Sequence, residues 1–197
     1  MPVRRDRKSV VTAAAELADR DGLSELSLSR VAADLGLHVS SLYNHVDGLD
    51  GLRHAVATRA LEELGEELWR AALGRAGTDA LVGLARAYRG YILEHPERFK
   101  AVLVNGARSS PELDAALGRC ADAIEAVMAS LGFSPTDAVH AHRIFTGMII
   151  GFVMQFEVAA QSDGKPLFAD TFEMLTSLLA ASFTSADWRE LTTRAAT

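Results

Sequence analysis

The chain is short of cysteine and of long apolar runs, and each shortage excludes a class of protein. It has 197 residues and one cysteine, Cys120, so neither an internal disulfide framework nor a multi-cysteine zinc site can form. We expect Cys120 to be a small buried hydrophobe. No apolar stretch reaches the length of about eighteen residues that a transmembrane helix needs. The first residues lack the apolar stretch and cleavage site of a signal peptide, and we therefore expect a cytoplasmic protein.

Strand signals and interior prolines are scarce as well. Apolar residues recur at three- and four-residue spacing almost throughout, whereas the alternation typical of strands is missing. Alanine and leucine, which favour helix, dominate, and four of the five prolines stand where a helix would begin. The sequence therefore predicts an all-α fold, with helices over about 8–19, 28–35, 39–45, 51–73, 79–94, 96–104, 111–131, 135–160 and 166–183.

Acidic residues outnumber basic ones, but the basic residues are unevenly placed. The formal net charge is −6, and residues 55–197 carry 13 basic and 18 acidic side chains. The first eight residues instead hold Arg4, Arg5, Arg7 and Lys8 against Asp6 alone. A cationic arm ahead of an acidic body can bind nucleic acid locally, although a frayed and solvated N-terminus explains the same residues taken alone.

Residues 28–46, LSRVAADLGLHVSSLYNHV, have the pattern of two short helices joined by a turn. Gly36 can adopt the left-handed conformation that the turn needs, and Leu42 and Val46 anchor the second helix on one face. The side chains left facing outward are His38, Val39, Ser40, Ser41, Tyr43, Asn44 and His45. A helical hairpin within a bundle would have the same turn. The basic arm and the lack of acidic residues on this face favour a helix-turn-helix that binds DNA.

The chemistry of the outward face suits a DNA groove. Short side chains at Ser40 and Ser41 let a helix lie deep in the major groove, and the Val39 side chain matches the methyl group of thymine. Tyr43 and His45 can hydrogen-bond phosphates, which fixes the register of the helix without reading sequence.

The first fifty or so residues resemble the tetracycline-repressor (TetR) family of bacterial transcription regulators. The matching segments are VVTAAAELADRDGLSELSLSRVAADLGLHVSSLYNHV and DGLDGL, of which GLHVSSLYNHV is the most specific. The resemblance implies a three-helix helix-turn-helix DNA-binding domain over residues 1–54 and a helical effector-binding and dimerisation domain over 55–197. It also implies a homodimer on a palindromic double-stranded operator, released by a small apolar or amphipathic effector and without enzymatic activity.

The resemblance also implies a role for each matching position. By position, Val39, Ser40 and Ser41, with His38 beside them, would contact base edges. Tyr43 and His45 would contact the DNA backbone, and Ser27 would contact a phosphate. This chain departs from the family at Leu49, where members often carry a lysine that bonds a phosphate. We therefore expect phosphate affinity to depend more on the basic residues of the N-terminal arm.

Residues 87–103, AYRGYILEHPERFKAVL, resemble a recurring C-terminal subgroup of the family, named WHG after a Trp-His-Gly signature. The candidate signature keeps Gly151 but has Ile150 in place of histidine and lacks the tryptophan. The match to this subgroup is therefore partial.

Two C-terminal helices carry more apolar residues than one subunit can cover. Residues 144–157 are apolar in nearly every direction, and 166–183 have a similar surplus. Because one short recognition helix reads too few base pairs, we expect these helices to pair with their copies in a four-helix dimer interface, which is also the family pattern. The predicted interface residues are Ile149, Val153, Phe156, Phe168, Phe172, Leu175 and Leu179.

A ligand cavity is expected among the helices at 79–94, 96–104, 111–131 and 135–160. The candidate lining residues are Tyr88, Tyr91, Ile92, Phe99, Leu103, Met128, His140, Phe145, Met148 and Phe152. Methionine and aromatic residues at helical spacing also serve as ordinary core, so the same residues suit plain packing.

Two other function classes stay open on the residues alone. A helical enzyme or lipid carrier would use the same apolar cavity, but no convincing pair of catalytic groups appears, and a helical interaction module would not bind DNA. We expect no cofactor and no metal, because His140 and His142 lie two residues apart and so on different faces of a helix. Salt-dependent DNA affinity separates the regulator from both alternatives.

Overall fold

The structure is a computed structural model that describes residues 6–105, 109–158 and 165–184. Every regular element within these ranges is helical, which confirms the all-α prediction. The elements are α1 (Arg7–Asp21), a 3-10 turn (Leu23–Glu25), α2 (Leu28–Leu35), α3 (Val39–Leu42), α4 (Gly48–Ala72), α5 (Gly77–Glu94), α6 (Pro96–Asn105), α7 (Pro111–Ser130), α8 (Pro135–Phe152), a π-helical turn (Val153–Val158) and α9 (Lys165–Thr184). None of them combines the length and the apolar character that a membrane span requires.

Most helix ends lie within a few residues of their predicted positions, and two differ more. The second helix of the helix-turn-helix pattern is α-helical only over Val39–Leu42, so its remaining residues form turns. The helix predicted to run from 135 to 160 becomes π-helical after Phe152. Its predicted end at Ala160 lies outside the described residues.

Helix starts are fixed by short polar side chains. The Asp6 carboxylate accepts a hydrogen bond from the Ser9 backbone N–H at 2.9 Å, and the Ser9 hydroxyl accepts one from the Asp6 backbone N–H at 3.2 Å. This reciprocal pair is a capping box, which satisfies amides that have no partner within α1. Ser134 accepts from the Asp137 N–H at 3.2 Å and so caps α8 as its sequence predicts.

The chain divides into two compact units, and the boundaries differ from the predicted functional division at residue 54. The first unit spans Met1–Glu63 and His95–Leu117, and the second spans Leu64–Glu94 and Gly118–Thr197. Helix α6 therefore belongs structurally to the unit that contains the helix-turn-helix.

A cluster of ion pairs holds α6 within the first unit. Arg98, which is only 8% exposed, places its Nε 2.7 Å from the Asp19 carboxylate on α1. Its Nη1 donates to the Glu63 carboxylate on α4 at 2.7 Å, and Nδ1 of His95 lies 2.9 Å from Asp19. Because charged groups this deeply buried need partners, the cluster ties α1, α4 and α6 together.

The core of the second unit surrounds another partly buried ion pair. Arg89 on α5 donates from Nε and Nη2 to the Glu157 carboxylate at 2.8 and 2.6 Å. The Arg89 guanidinium also lies 5.0 Å from the centroid of the Phe172 ring, which is fully buried. This arrangement joins α5, the π-helical turn and α9.

Cys120 lies in the same core, on α7. It is buried, as predicted, and a Cβ added at Gly65 would stand 3.5 Å from its sulfur. Burial raises the pKa of the Cys120 thiol to about 12. The residue therefore behaves as a small hydrophobe at neutral pH.

The Arg89–Glu157 pair generates a stability prediction. Replacing Arg89 with methionine leaves the Glu157 carboxylate, whose side chain is 7% exposed, without its cation. We expect a loss of about 2–4 kcal/mol and a fall in Tm of roughly 5–12 °C in circular-dichroism melts.

Arg86→Met is the matched control, because Arg86 pairs with Glu173 on the protein surface. Exposed pairs contribute little, so its Tm should change by less than about 2 °C. Equal effects of the two substitutions would contradict the buried role of Arg89.

Candidate nucleic-acid interface

The turn of the helix-turn-helix is built around Gly36. This residue has φ 63° and ψ 36°, the left-handed conformation that glycine adopts without a Cβ penalty. The Leu37 N–H donates to the Ala32 carbonyl at 2.8 Å, and the Gly36 N–H donates to the Ala33 carbonyl at 3.1 Å. These two bonds form a Schellman motif, which satisfies the last carbonyls of α2 and fixes the direction of the chain into α3.

Helix α3 is anchored on one face and open on the other. Leu42 is fully buried and Val46 nearly so, as their spacing predicts. Tyr43 is 60% exposed. His38, Val39, Ser40 and Asn44 are also exposed, whereas Ser41 and His45 are half-buried. The structure therefore presents to solvent the face predicted to contact DNA.

Ser27 stands at the start of α2. Its hydroxyl accepts a hydrogen bond from the Arg30 backbone N–H at 3.3 Å and lies 3.1 Å from the Ser29 hydroxyl. The residue is half-buried, so part of its side chain stays accessible beside the first turn of the helix. This is the position that the predicted phosphate contact requires.

Two cations near the helix-turn-helix are neutralised by acidic neighbours. Arg20 pairs with Asp34 at 3.0 Å, and the hydrogen bonds that it donates to Asp34 and Asp21 raise the pKa of its guanidinium. Arg30 pairs with Asp21 at 2.5 Å and with Glu25 at 3.3 Å. These arginines serve the internal structure of the unit rather than presenting an uncompensated positive charge.

Arg7 and Lys8 are different, because neither has an ion pair among the residues that the structure describes. Both are exposed in the first turn of α1, which contains no acidic side chain. Positive charges at this end oppose the helix dipole and so disfavour the helix. Their placement lowers the stability of α1 but favours the binding of an anionic partner. The predicted arm residues Arg4 and Arg5 lie outside the described residues.

The residues from Asp47 to Gly51 supply no compensating cation. Asp47 and Asp50 are exposed, and Leu49 is half-buried where the family often has lysine. Any phosphate contact here has to come from backbone amides rather than from a basic side chain.

The residues predicted to line a ligand cavity differ in exposure and are divided between the two compact units. Tyr88, Tyr91, Ile92, Phe99, Met128 and Phe145 are buried, Phe152 is half-buried, and Leu103, His140 and Met148 are exposed. Burial strongly raises the pKa of the Tyr88 phenol. Phe99 and Leu103 belong to the first compact unit and the rest to the second. The shared apolar character of these positions does not distinguish packing from ligand contact.

The dimer prediction needs a correction. Ile149, Val153, Phe172 and Leu179 are buried within their own chain and form its core, so they are not available to a second copy. Phe168 and Leu175 are half-buried, and Phe156 is exposed. The large apolar side chains that α8, the π-helical turn and α9 leave exposed, here named the open apolar face, are Ile144, Met148, Phe156, Leu167, Met174 and Leu178. Because these helices are apolar nearly all round, the sequence does not show which side packs inward.

Comparison with known proteins places the chain in a family. The family described as "Tetracyclin repressor-like, C-terminal domain" matches residues 81–181. The chain belongs to this family. An uncharacterized HTH-type transcriptional regulator of Mycobacterium tuberculosis, Rv0681, is 36% identical to it over 154 residues, covering 78% of this chain and 71% of the relative.

Solved structures share the fold. BioQ with its natural double-stranded DNA operator has a TM-score of 0.64 and 22% identity, covering 89% of this chain and 98% of that chain. TetR-Q116A of Acinetobacter baumannii in complex with minocycline has a TM-score of 0.71 and 21% identity, covering 90% and 96%. This TetR-family chain is a DNA-binding transcription regulator, with an N-terminal helix-turn-helix and a C-terminal helical domain.

The unpaired cations of α1 generate a prediction in which stability and affinity change in opposite directions. Lys8→Glu removes an unfavourable charge from the positive end of α1 and should raise Tm by about 1–2 °C. It should also weaken DNA binding, measured by fluorescence anisotropy. Lys8→Gln removes one positive charge, so the slope of log affinity against log salt should become shallower by the amount that about one phosphate contact contributes.

Arg70→Gln is the control, since Arg70 is an exposed arginine of the second unit that pairs with Glu67. Its DNA affinity and salt slope should match those of the unmodified protein. If Lys8→Gln leaves the slope unchanged as well, Lys8 does not contact phosphate.

Proposed function

We propose that this protein is a homodimeric repressor that binds a near-palindromic operator in the cytoplasm and is released by a small apolar or amphipathic effector. Its role is binding rather than catalysis. The observation that carries the proposal is the exposed face of α3, held outward by buried Leu42 and Val46. A short helix of this kind, presented by a fixed turn, fits the major groove.

Within that groove the side chains divide into two roles. Val39, Ser40 and Ser41, with His38 beside them, contact base edges, because they are small and lie at the start of α3. Tyr43 and His45 contact the DNA backbone one turn later. Asn44 is exposed on the same side and has the donor and acceptor that a base edge or a phosphate can use.

Phosphate affinity comes mainly from α1 and its preceding arm. Arg7 and Lys8 supply uncompensated charge, Arg4 and Arg5 extend it, and Ser27 adds a hydroxyl at the start of α2. The protein as a whole carries a net charge of −6, so the rest of its surface repels DNA and favours binding through this end.

The open apolar face of the second unit supports the homodimer. Ile144 and Met148 on α8 and Met174 and Leu178 on α9 expose apolar surface that a second copy would cover. A Cβ added at Gly147 or Gly151 of α8 would meet no atom within 4 Å, so the backbone there is open to a closely packed helix. A two-fold pair of such faces gives four helices, and it matches the symmetry of a palindromic site.

The effector belongs to the C-terminal body in this proposal. A solved structure of the same fold, TetR-Q116A of Acinetobacter baumannii, is in complex with minocycline, which supports a small-molecule effector. Here the effector would contact the predicted residues of the second unit, among them Tyr88, Tyr91 and Phe145. It would favour a different spacing of the two recognition helices, with a coupling of about 1–3 kcal/mol.

A charged substitution on the open apolar face tests whether that face forms the dimer interface. Leu178→Glu should convert the protein to a monomer in sedimentation-velocity runs and lower its affinity for a palindromic duplex by more than about tenfold, since the second half-site is then bound independently. Leu73→Glu is the control, because Leu73 is similarly exposed but lies in the turn that follows α4. A dimer that tolerates Leu178→Glu would place the interface elsewhere.

DNA recognition is tested by selecting bound sequences from random duplexes, followed by affinity measurements on the selected site. Tyr43→Ala should weaken binding to all sequences by a similar factor, because it removes a backbone contact. Ser40→Ala should change the preferred base at one position of each half-site. Both variants keep Leu42 and Val46, so their melts should match that of the unmodified protein. No selected sequence, or no effect of either change, would count against the proposal.

A further inference from the structure

A surface cleft opens within the first compact unit, outside the proposed DNA and effector sites. Its volume is about 460 Å³, and its walls come from the 3-10 turn after α1, from α4 and from α6. The residues that matter for its chemistry are Leu23, Arg53, Glu97, Lys100, Leu103 and Val104. The cleft therefore combines charged and apolar side chains at one place.

Two of the three charged side chains neutralise each other. Lys100 forms an ion pair with Glu97, and the Glu97 carboxylate also accepts the Leu23 backbone N–H at 3.0 Å. Burial raises the pKa of Glu97, but these two partners outweigh it and hold the pKa below its usual value. Glu97 therefore stays negatively charged, and its carboxylate is already bonded to Lys100 and to the Leu23 N–H.

Arg53 supplies the charge that is left over. Its Nε is buried and has no hydrogen-bond partner, and among the described residues its guanidinium forms no ion pair. Such a buried donor costs stability unless something accepts its hydrogen bonds. A guanidinium presents paired N–H donors in a plane that matches a carboxylate, so the missing partner is a planar anion.

The remaining wall is apolar and unusually open. Leu103 is 52% exposed and Val104 is 71% exposed at the end of α6, and both line the same cleft as Arg53. A ligand with an alkyl segment would cover this surface while its charged end reaches the guanidinium. The single surplus positive charge, with Glu97 nearby, favours one negative charge over a polyanion such as a DNA phosphate chain.

We propose that this cleft is a binding site for a small amphipathic monocarboxylate, with its carboxylate on Arg53 and its alkyl chain against Leu103 and Val104. The site lies in the same compact unit as the helix-turn-helix, so it is a second ligand site in addition to the effector site of the C-terminal body. It does not depend on the operator, the dimer or the effector of the proposed function.

Isothermal titration of the full chain with octanoate tests the site directly, without DNA. The unmodified protein should bind octanoate, and Arg53→Gln should weaken that binding at least about tenfold, the usual effect of losing a charge-assisted hydrogen bond. Octanol, which has the chain without the charge, should bind at least about tenfold more weakly than octanoate. Leu103→Ala should reduce octanoate affinity by about threefold through lost apolar contact.

Arg70→Gln is the matched control, because Arg70 lines a larger cleft of about 660 Å³ in the second unit. It should bind octanoate as the unmodified protein does. Melts of each variant check folding, and Arg53→Lys, which keeps the charge, should retain part of the affinity if Arg53→Gln is unstable.

Three results would overturn the inference. The first is an unmodified chain that does not bind octanoate, and the second is equal octanoate affinity in Arg53→Gln, which would place the ligand in the C-terminal body. The third is a loss of DNA affinity and of salt slope in Arg53→Gln with octanoate binding intact, which would make Arg53 a phosphate contact. A failed operator selection alone changes none of these titrations.

Discussion

The burial of Leu42 and Val46 beneath α3 is the contact on which recognition depends. These two side chains fix the rotation of a helix only one turn long, and such a helix has little stability of its own. The Schellman bonds at Gly36 fix the direction from which it emerges. With rotation and direction set, the exposed residues from His38 to Asn44 need no further ordering to meet a duplex. Binding then loses little conformational entropy at this face.

Charge is distributed in the first unit according to two different needs. Arg20, Arg30 and Arg98 are each paired with carboxylates and stabilise contacts between helices. Arg7 and Lys8 have no ion pair within the described part of the chain, and they stand at a helix end where positive charge is unfavourable. Local rules of stability are broken at functional positions more often than elsewhere, so this conflict makes Arg7 and Lys8 better candidates for DNA contact than a count of basic residues would.

The sequence predicts the local features of this fold well and its packing less well. Ser27, Gly36 and Ser134 mark helix ends through chemistry that acts within a few residues. Ser27 and Ser134 cap the starts of α2 and α8, and Gly36 has the predicted left-handed conformation. The side of α8 that packs inward is decided by distant helices. Its apolar pattern is nearly uniform around the axis. The sequence therefore predicts Ile149, and Val153 in the following turn, at an interface, whereas the structure buries both in the core. Arg53 and Lys100 carry no motif, and only the fold brings them beside Leu103.

Helix α6 links the packing of the first unit to the orientation of α3. By its position in the sequence it belongs to the C-terminal body, yet it packs on α1, and its buried Arg98 pairs with Asp19 of α1 and Glu63 of α4. Moving α6 alone would separate Arg98 from these carboxylates and leave charges buried without partners, a larger cost than sliding apolar side chains. A displacement of α6 therefore has to carry α1 and the first part of α4 with it. Because α1 packs on α2, and α2 sets the direction of α3, the orientation of the recognition helix follows from how this one helix is held.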